Sequence, residues 1–454
     1  MSSPAVQVAH RAPIAAGPPV AAKGFPTLVR PKNGRPLLLA EPDGGLEPLP
    51  DKIRRYATWS WISLLVSILP WSFTQTGRIT FISKRPEQVL VVCSLGVAFY
   101  FGYKANSRFK LAHAWPVVLY SAMAVIALFP PLGGRAGLGS LFRAIRFLLT
   151  LVLLLQLVPI FARDRYIPLR GHFLVMKITV VSSLVSLAVG RGFDGEGRLI
   201  TQLPAFPAPG LAQWTSLFCF LLIFLMLNRA IPVRSGMAWL AASGLCLFLS
   251  HSRTPLVAGG AGFVAGLVAM FVSSQRARRF VSWVMFLVPV SALMFGPAVQ
   301  AWFLRGQDQS QISTLTGRTK AWAKVYSFPR DVYSRLFGVG LTDKSIEGLP
   351  IDSGYLSVYH EQGRVGVAIM TLIFVVYLAR ILSRRPSAAR AMALFLVVYV
   401  LIASYTETGI GDMSGYVLHL VMAMVLVVVP VVTPADEPAP PLGPAGPSAA
   451  GARA

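Results

Sequence analysis

Long apolar stretches recur along this chain with little between them, and they restrict its folding more than any other feature. Runs suited to a membrane crossing, each needing about twenty residues, fall at 57–75, 88–103, 114–133, 145–162, 172–190, 211–228, 236–252, 254–273, 281–303, 362–382, 390–405 and 415–433. Inside hydrocarbon the backbone N–H and C=O groups have no water to bond, so such runs pair them internally as helices. The expected fold is an all-α, polytopic membrane protein of about twelve transmembrane helices. Composition agrees. Charged residues make up 13% of the chain, against about 25% in soluble domains, and mean hydropathy is +0.61.

The flanks have a different composition. Residues 1–56 are rich in Ala, Pro, Gly and basic residues, without a sustained apolar period. They read as a disordered cytoplasmic tail, with Arg54 and Arg55 placed to meet headgroups. Residues 434–454, PADEPAPPLGPAGPSAAGARA, read as a second disordered cytoplasmic tail. The first apolar run begins only at residue 57, too late for a cleaved signal peptide, so it reads as a retained helix. The expected membrane domain is 57–433.

The formal net charge is +24, from 42 Lys and Arg against 18 Asp and Glu. In a soluble protein that excess would point to nucleic acid. No basic stripe is free of the membrane here, so nucleic acid is not an expected partner. The positive-inside bias and attraction to anionic membrane lipids account for the charge instead. With a cytoplasmic N-terminus, the inside loops carry Lys104, Arg108, Lys110, Arg163, Arg165, Arg170, Arg229, Arg234, Arg276, Arg278, Arg279, Arg384, Arg385 and Arg390, with Asp164 the one acidic residue among them. The loop 191–210, the turn Ser250-His251-Ser252-Arg253 and a large polar loop at 304–361, between helices nine and ten, then share the extracytoplasmic side. Cys93, Cys219 and Cys246 lie in apolar runs and read as small core residues, with no spacing suited to a metal.

A polar loop of that length is usually functional. Arg253 sits between two apolar runs, where a charge is costly unless it is paired, lines a wet cavity or snorkels to headgroups. His251 and the flanking serines add donors, and Thr254-Pro255 begins the next helix, whose amino end favours anions. Arg318, Lys320, Trp322, Lys324 and Tyr326 read as an amphipathic surface helix. Its arginine suits a phosphate, although a solvated basic face has the same pattern. Arg198 and Arg330 extend this cationic set.

Asp352, in Pro350-Ile351-Asp352-Ser353-Gly354-Tyr355-Leu356, precedes the return to the membrane, with His360 and Glu361 two turns on. A carboxylate or imidazole there can take a proton from a sugar hydroxyl. An aspartate in water is a weak base, near pKa 3.9, and burial or a neighbouring arginine would move it in opposite directions. Asp352 also fits a helix N-cap, and His360 a packed interfacial histidine. Tyr355, Glu407 and Asp412 border the same region. Gly259, Gly260, Gly262 and Gly266 read as small-residue helix packing.

In order, Ser252-Arg253, Gly317-Arg318 with Trp322, Leu336-Phe337-Gly338-Val339-Gly340, Asp352-Ser353-Gly354-Tyr355-Leu356, Gly363 to Gly366 and Tyr405-Thr406-Glu407 resemble the O-antigen ligase and Wzy-type O-antigen polymerase superfamily, over roughly residues 190–430. The resemblance implies a bacterial inner-membrane, metal- and cofactor-independent inverting glycosyltransferase. It would act on undecaprenyl-diphosphate-linked oligosaccharide at the periplasmic face, alongside a chain-length regulator and export proteins. It also implies that Arg253 and Arg318 clamp the donor diphosphate while Asp352 serves the acceptor. Arg198, His251, Lys320, Arg330, Tyr355, His360 and Glu407 are expected to bind substrate. Asp352-Ser353 stands where the ligases have a His-Asn pair, which is closer to the polymerases, and Pro209-Gly210 departs from the Pro-Asn often seen before the sixth helix. Polymerisation of repeat units is the leading reading. The alternatives are ligase-type transfer of a finished glycan to a lipid or protein, a scaffold for envelope assembly, and, in another class, a transporter or flippase, although no repeat between the two halves supports that last reading.

Overall fold

The computed structural model describes residues 49–70, 84–106, 115–271, 274–304, 318–342 and 344–427. Both expected tails, apart from residues 49–56 of the first, lie outside the described residues. So do 305–317 of the large loop with Gly317, and Arg108 and Lys110. The described elements are α1 (Asp51–Ile68), α2 (Lys84–Ala105), α3 (Trp115–Ile126), α4 (Phe129–Leu132), α5 (Leu138–Arg163), α6 (Tyr166–Ala188), α7 (Ala208–Leu227), α8 (Val233–Leu249), α9 (Arg253–Phe271), α10 (Gln275–Leu304), α11 (Arg318–Ser327), α12 (Val332–Phe337), a hairpin of β1 (Ser345–Ile346) and β2 (Leu349–Pro350), α13 (Gly354–Leu382), α14 (Ala388–Ala403) and α15 (Gly415–Val427).

Among the described residues, each apolar run of the sequence overlaps a helix. Among the described residues, seven spans are long and apolar enough to cross a membrane: most of α2, α3 with α4, α5, α6, α7, α9 and α13. The two limbs of α10, bent by 75°, make an eighth if counted together, while α8, α14 and α15 are apolar but shorter. Helix α1 begins at Asp51, before the expected end of the tail. Asp51 faces the positive end of its own helix, and Arg54 bonds both Asp51 at 3.0 Å and Asp164 at 2.8 Å. That pairing ties the start of α1 to the α5–α6 turn.

Helix α9 packs closely on α14 because its glycines leave room for backbone. A Cβ at Gly262 would lie 2.7 Å from the Phe395 carbonyl oxygen, and one at Gly266 would lie 2.8 Å from that of Ala391. This is small-residue helix packing as expected from the sequence for Gly259, Gly262 and Gly266, whereas a Cβ at Gly260 would meet nothing within 4 Å. The packing fixes the helix that starts at Arg253 against the helix that leads to Glu407.

The polar connections gather at one end of the bundle. Leu199 N–H bonds the Leu249 carbonyl at 2.9 Å, Ala205 N–H bonds that of Pro70 at 2.8 Å, and Gly354 N–H bonds that of Ser404 at 2.8 Å. Arg135 pairs with Asp331, whose carboxylate also caps α12 by accepting from Ser334 N–H at 3.0 Å. Helix α11 forms as expected for an amphipathic segment, burying Ala321 and Val325.

Helix α13 is broken at Gly363, where φ is 67°. The break frees carbonyls that need new partners. Val339 N–H bonds the His360 carbonyl at 3.0 Å and Gly340 N–H bonds that of Glu361 at 2.9 Å. Gly338, at φ 76°, and Gly363 allow this approach. A Cβ on either would fall 2.3 Å from the opposing backbone, Glu361 for the first and Leu336 for the second. The Leu336–Gly340 and Gly363 motifs are therefore two halves of one contact.

Candidate functional site

The turn between α14 and α15 ties together the three elements that carry the expected site arginines and aspartate. Ser404 offers its carbonyl to Gly354 N–H at 2.8 Å, which holds the stretch bearing Asp352. Tyr405 packs edge-on against Trp322 with ring centroids 5.3 Å apart, which docks α11 and Arg318. The Thr406 hydroxyl lies 2.7 Å from that of Thr254, at the head of α9 beside Arg253. Glu407 comes next, and a Cβ at Gly354 would meet the Glu407 carbonyl oxygen at 3.0 Å. Three successive residues thus anchor three elements, and the fourth supplies a carboxylate among them.

Within this assembly Arg318 Nε stands 3.5 Å from Asp352 Oδ2, with side chains 26% and 44% exposed. Arg318 is the first residue of α11, where a cation opposes the helix dipole, so its place is not explained by helix stability. Glu407 is half-buried but surrounded by protein on most sides, and burial is the main reason its carboxyl is pushed up to about 7. The Arg318 charge works against that rise and the Asp352 charge adds to it. Tyr399 on α14 and Tyr416 on α15 also lie within electrostatic reach of Glu407. Among the described residues nothing hydrogen-bonds the Glu407 carboxylate.

A second pair forms at the break in α13. Arg330 Nη2 donates to His360 Nδ1 at 3.1 Å, and its guanidinium lies over the Tyr359 ring at 4.5 Å. The His360 ring is 5% exposed and meets Phe328 edge-on. His360 is therefore a packed, arginine-bonded histidine, as one of its two expected readings had it.

Other candidates have different neighbours. Arg198 pairs with Asp194 at 2.9 Å and Glu196 at 3.2 Å within its own loop. That arrangement satisfies it locally, and the same contacts hold the Asp194 carboxyl low although burial opposes this. His251 takes a left-handed conformation, φ 50°, and stacks on Trp302 at 6.0 Å. Arg253 Nη2 donates to the Leu304 carbonyl at 3.2 Å, which joins the head of α9 to the end of α10. Tyr355 uses its hydroxyl to bond the Leu401 carbonyl at 2.6 Å, a positioning contact. Lys320 is exposed on α11. Asp352 does not cap α13; Ser353 occupies the N-cap position, without a side-chain capping bond.

Sequence reading named Glu361 and Asp412 but missed Lys344 and the cluster the three form. Lys344 pairs with Asp412, and its Nζ stays protonated, held up by Asp412 and Glu361 against the cost of burial. Glu361, 1% exposed, accepts from Thr342 N–H and the Ser357 hydroxyl at 3.0 Å each. Arg143 on α5 donates to the Thr342 carbonyl. A glutamate immediately before the apolar run 362–382 is the sequence signal that a cationic partner is needed there.

Comparison with protein-family models gives no match, and comparison with curated proteins gives no relative.

Proposed function

We propose that this chain polymerises polyprenyl-diphosphate-linked oligosaccharide repeat units into a cell-surface polysaccharide at the outer face of the cytoplasmic membrane, which about twelve helices would cross. The observation that carries the reading is the junction at residues 404–407, where the head of α9, the head of α11 and the stretch bearing Asp352 meet beside Glu407. Arginines at two helix amino ends suit the phosphates of a lipid-linked donor, since both the fork and the helix dipole favour anions. In an inverting displacement an acceptor sugar hydroxyl attacks the anomeric carbon, and charge builds on the leaving diphosphate. Fixed cations lower that barrier because they need no reorganisation as the charge develops. Donor and acceptor both arrive on lipids, so holding them together supplies much of the acceleration. A carboxylate beside Arg318 would receive the hydroxyl proton.

A second reading rests on a different observation. Gln213, His419 and His172 form a hydrogen-bonded row at 3.1 and 3.3 Å inside the bundle. Ionisable groups inside a membrane protein commonly mark a transport path, and this row favours a transporter.

The deciding experiment replaces the cell's own gene with Arg253→Ala, Arg318→Ala or Asp352→Asn, checks membrane levels and measures polysaccharide chain length. Loss of long polymer with single lipid-linked repeat units remaining supports polymerisation. Polymer that forms but stays on its carrier lipid replaces it with the ligase reading. Normal polymer in all three variants overturns both and leaves transport.

A further inference from the structure

We infer that Glu407, rather than Asp352, accepts the proton of the attacking sugar hydroxyl, while Asp352 orients Arg318. This rests on the glycan-polymerising reading given above.

The geometry separates the two carboxylates. Asp352 already has a partner, Arg318 at 3.5 Å, and is 44% exposed to water. Its charge serves to hold the guanidinium where the donor's diphosphate would sit. Glu407 stands in the same cluster without a hydrogen-bond partner among the described residues. It is placed by the short turn between α14 and α15 rather than by the large loop. The residues before it are fixed in sequence by Gly354, Trp322 and Thr254. A proton acceptor needs such placement, because proton transfer in the transition state tolerates little slack.

The groups facing Glu407 come from every side. Arg318 on α11 and Asp352 ahead of α13 act on it directly, Tyr399 on α14 and Tyr416 on α15 lie near it, and Arg253 heads the helix bonded to Thr406. Burial lifts the carboxyl to about 7. A base matched to neutral pH is more effective than one that is fully ionised and heavily hydrated.

The step balances as follows. The acceptor oxygen forms a bond to the anomeric carbon with its own lone pair. The bond from that carbon to the diphosphate oxygen breaks, and its electron pair leaves on the polyprenyl diphosphate, whose charge the arginines take up. The hydroxyl proton passes to a Glu407 carboxylate oxygen and is later released to water. No oxidant or further co-reactant is needed.

The test uses the full-length protein in membranes, supplied with lipid-linked saccharide extracted from cells lacking the gene. Polymer formation is followed from pH 5.5 to 9 in wild type, Glu407→Gln, Glu407→Asp and Asp352→Asn. The expected result for wild type is a rate that rises with a midpoint near 7. Glu407→Gln should lose about 100-fold or more across the whole range, at unchanged protein level. Glu407→Asp should keep part of the activity with a displaced midpoint, which a merely structural role would not produce. If Glu407→Gln keeps the wild-type rate and midpoint while Asp352→Asn is inactive, Asp352 is the base and the inference falls. Wild type that makes no polymer from the extract at any pH overturns the functional reading itself, a different outcome from either variant result.

Discussion

The hydroxyls of Thr254 and Thr406 lie 2.7 Å apart and join the head of α9 to the turn that carries Glu407. Neither threonine is near the other in sequence, and each follows or precedes a charged candidate by one position. This bond sets the spacing between the Arg253 end of the site and its carboxylates. Thr406→Val keeps the volume but removes the partner, which costs about 1 kcal/mol when a buried hydroxyl is left unsatisfied. The expected outcome is slower polymer formation with an unaltered pH midpoint. Thr254→Val should do the same, and the double variant should lose less than the two effects summed, as a double-mutant cycle would show.

The pH dependence of activity should move in opposite directions when the neighbours of Glu407 are changed. The Asp352 charge raises the Glu407 carboxyl and the Arg318 charge lowers it. Asp352→Asn is therefore expected to bring the midpoint of residual activity below the wild-type value near 7, and Arg318→Ala to push it higher. Rate profiles of the two variants on the same membranes check this.

Stability follows from the same shift. The Glu407 carboxyl titrates near 4.5 in the unfolded chain and about 7 in the folded one. Protons are thus held more tightly in the folded state. The contribution is fully present below pH 4.5 and is lost as pH rises through about 7, worth on the order of 1–3 kcal/mol after allowance for partial exposure. Thermal unfolding in nanodiscs should show Glu407→Gln gaining on wild type at pH 8.5 and no such gain at pH 5. The variant would then be dead but sturdier, which separates loss of chemistry from loss of fold.

Gly363→Ala should be among the most damaging small changes. The added methyl meets the Leu336 carbonyl at 2.3 Å, and the backbone there has φ 67°. Strain of that kind costs about 1–3 kcal/mol before the clash is counted. Reduced membrane levels and a lower unfolding temperature are expected, with no special pH dependence. Gly260→Ala, where a Cβ has nothing within 4 Å, is the matched control and should be neutral.

Much of the helical plan was legible because hydrocarbon leaves an apolar run one way to satisfy its backbone. The glycines at 338 and 363 were legible only as parts of the motifs that carry the family resemblance. Their partnership was not, because two loops in contact leave no periodicity in sequence. The same holds for Lys344 and Asp412, 68 positions apart. Arg198 shows the opposite error. Asp194 and Glu196 stand four and two places before it, and that spacing already offered it local partners. The Arg318 and Asp352 pairing sits between these cases. Each residue was singled out on its own, while Glu407 looked peripheral until the Ser404–Thr406 contacts placed it.

The interlocked backbone at Leu336–Gly340 and His360–Gly363 bears on how such chains can be recombined. The large loop borrows the last carbonyls of the first limb of α13, and that limb borrows N–H groups from the loop. A chimera that exchanged the loop alone, cut at its apparent ends near 304 and 353, would bring half of a fitted joint to a foreign counterpart. Residues 332–366 carry both halves of that joint, so an exchange that keeps the joint intact has to move them together.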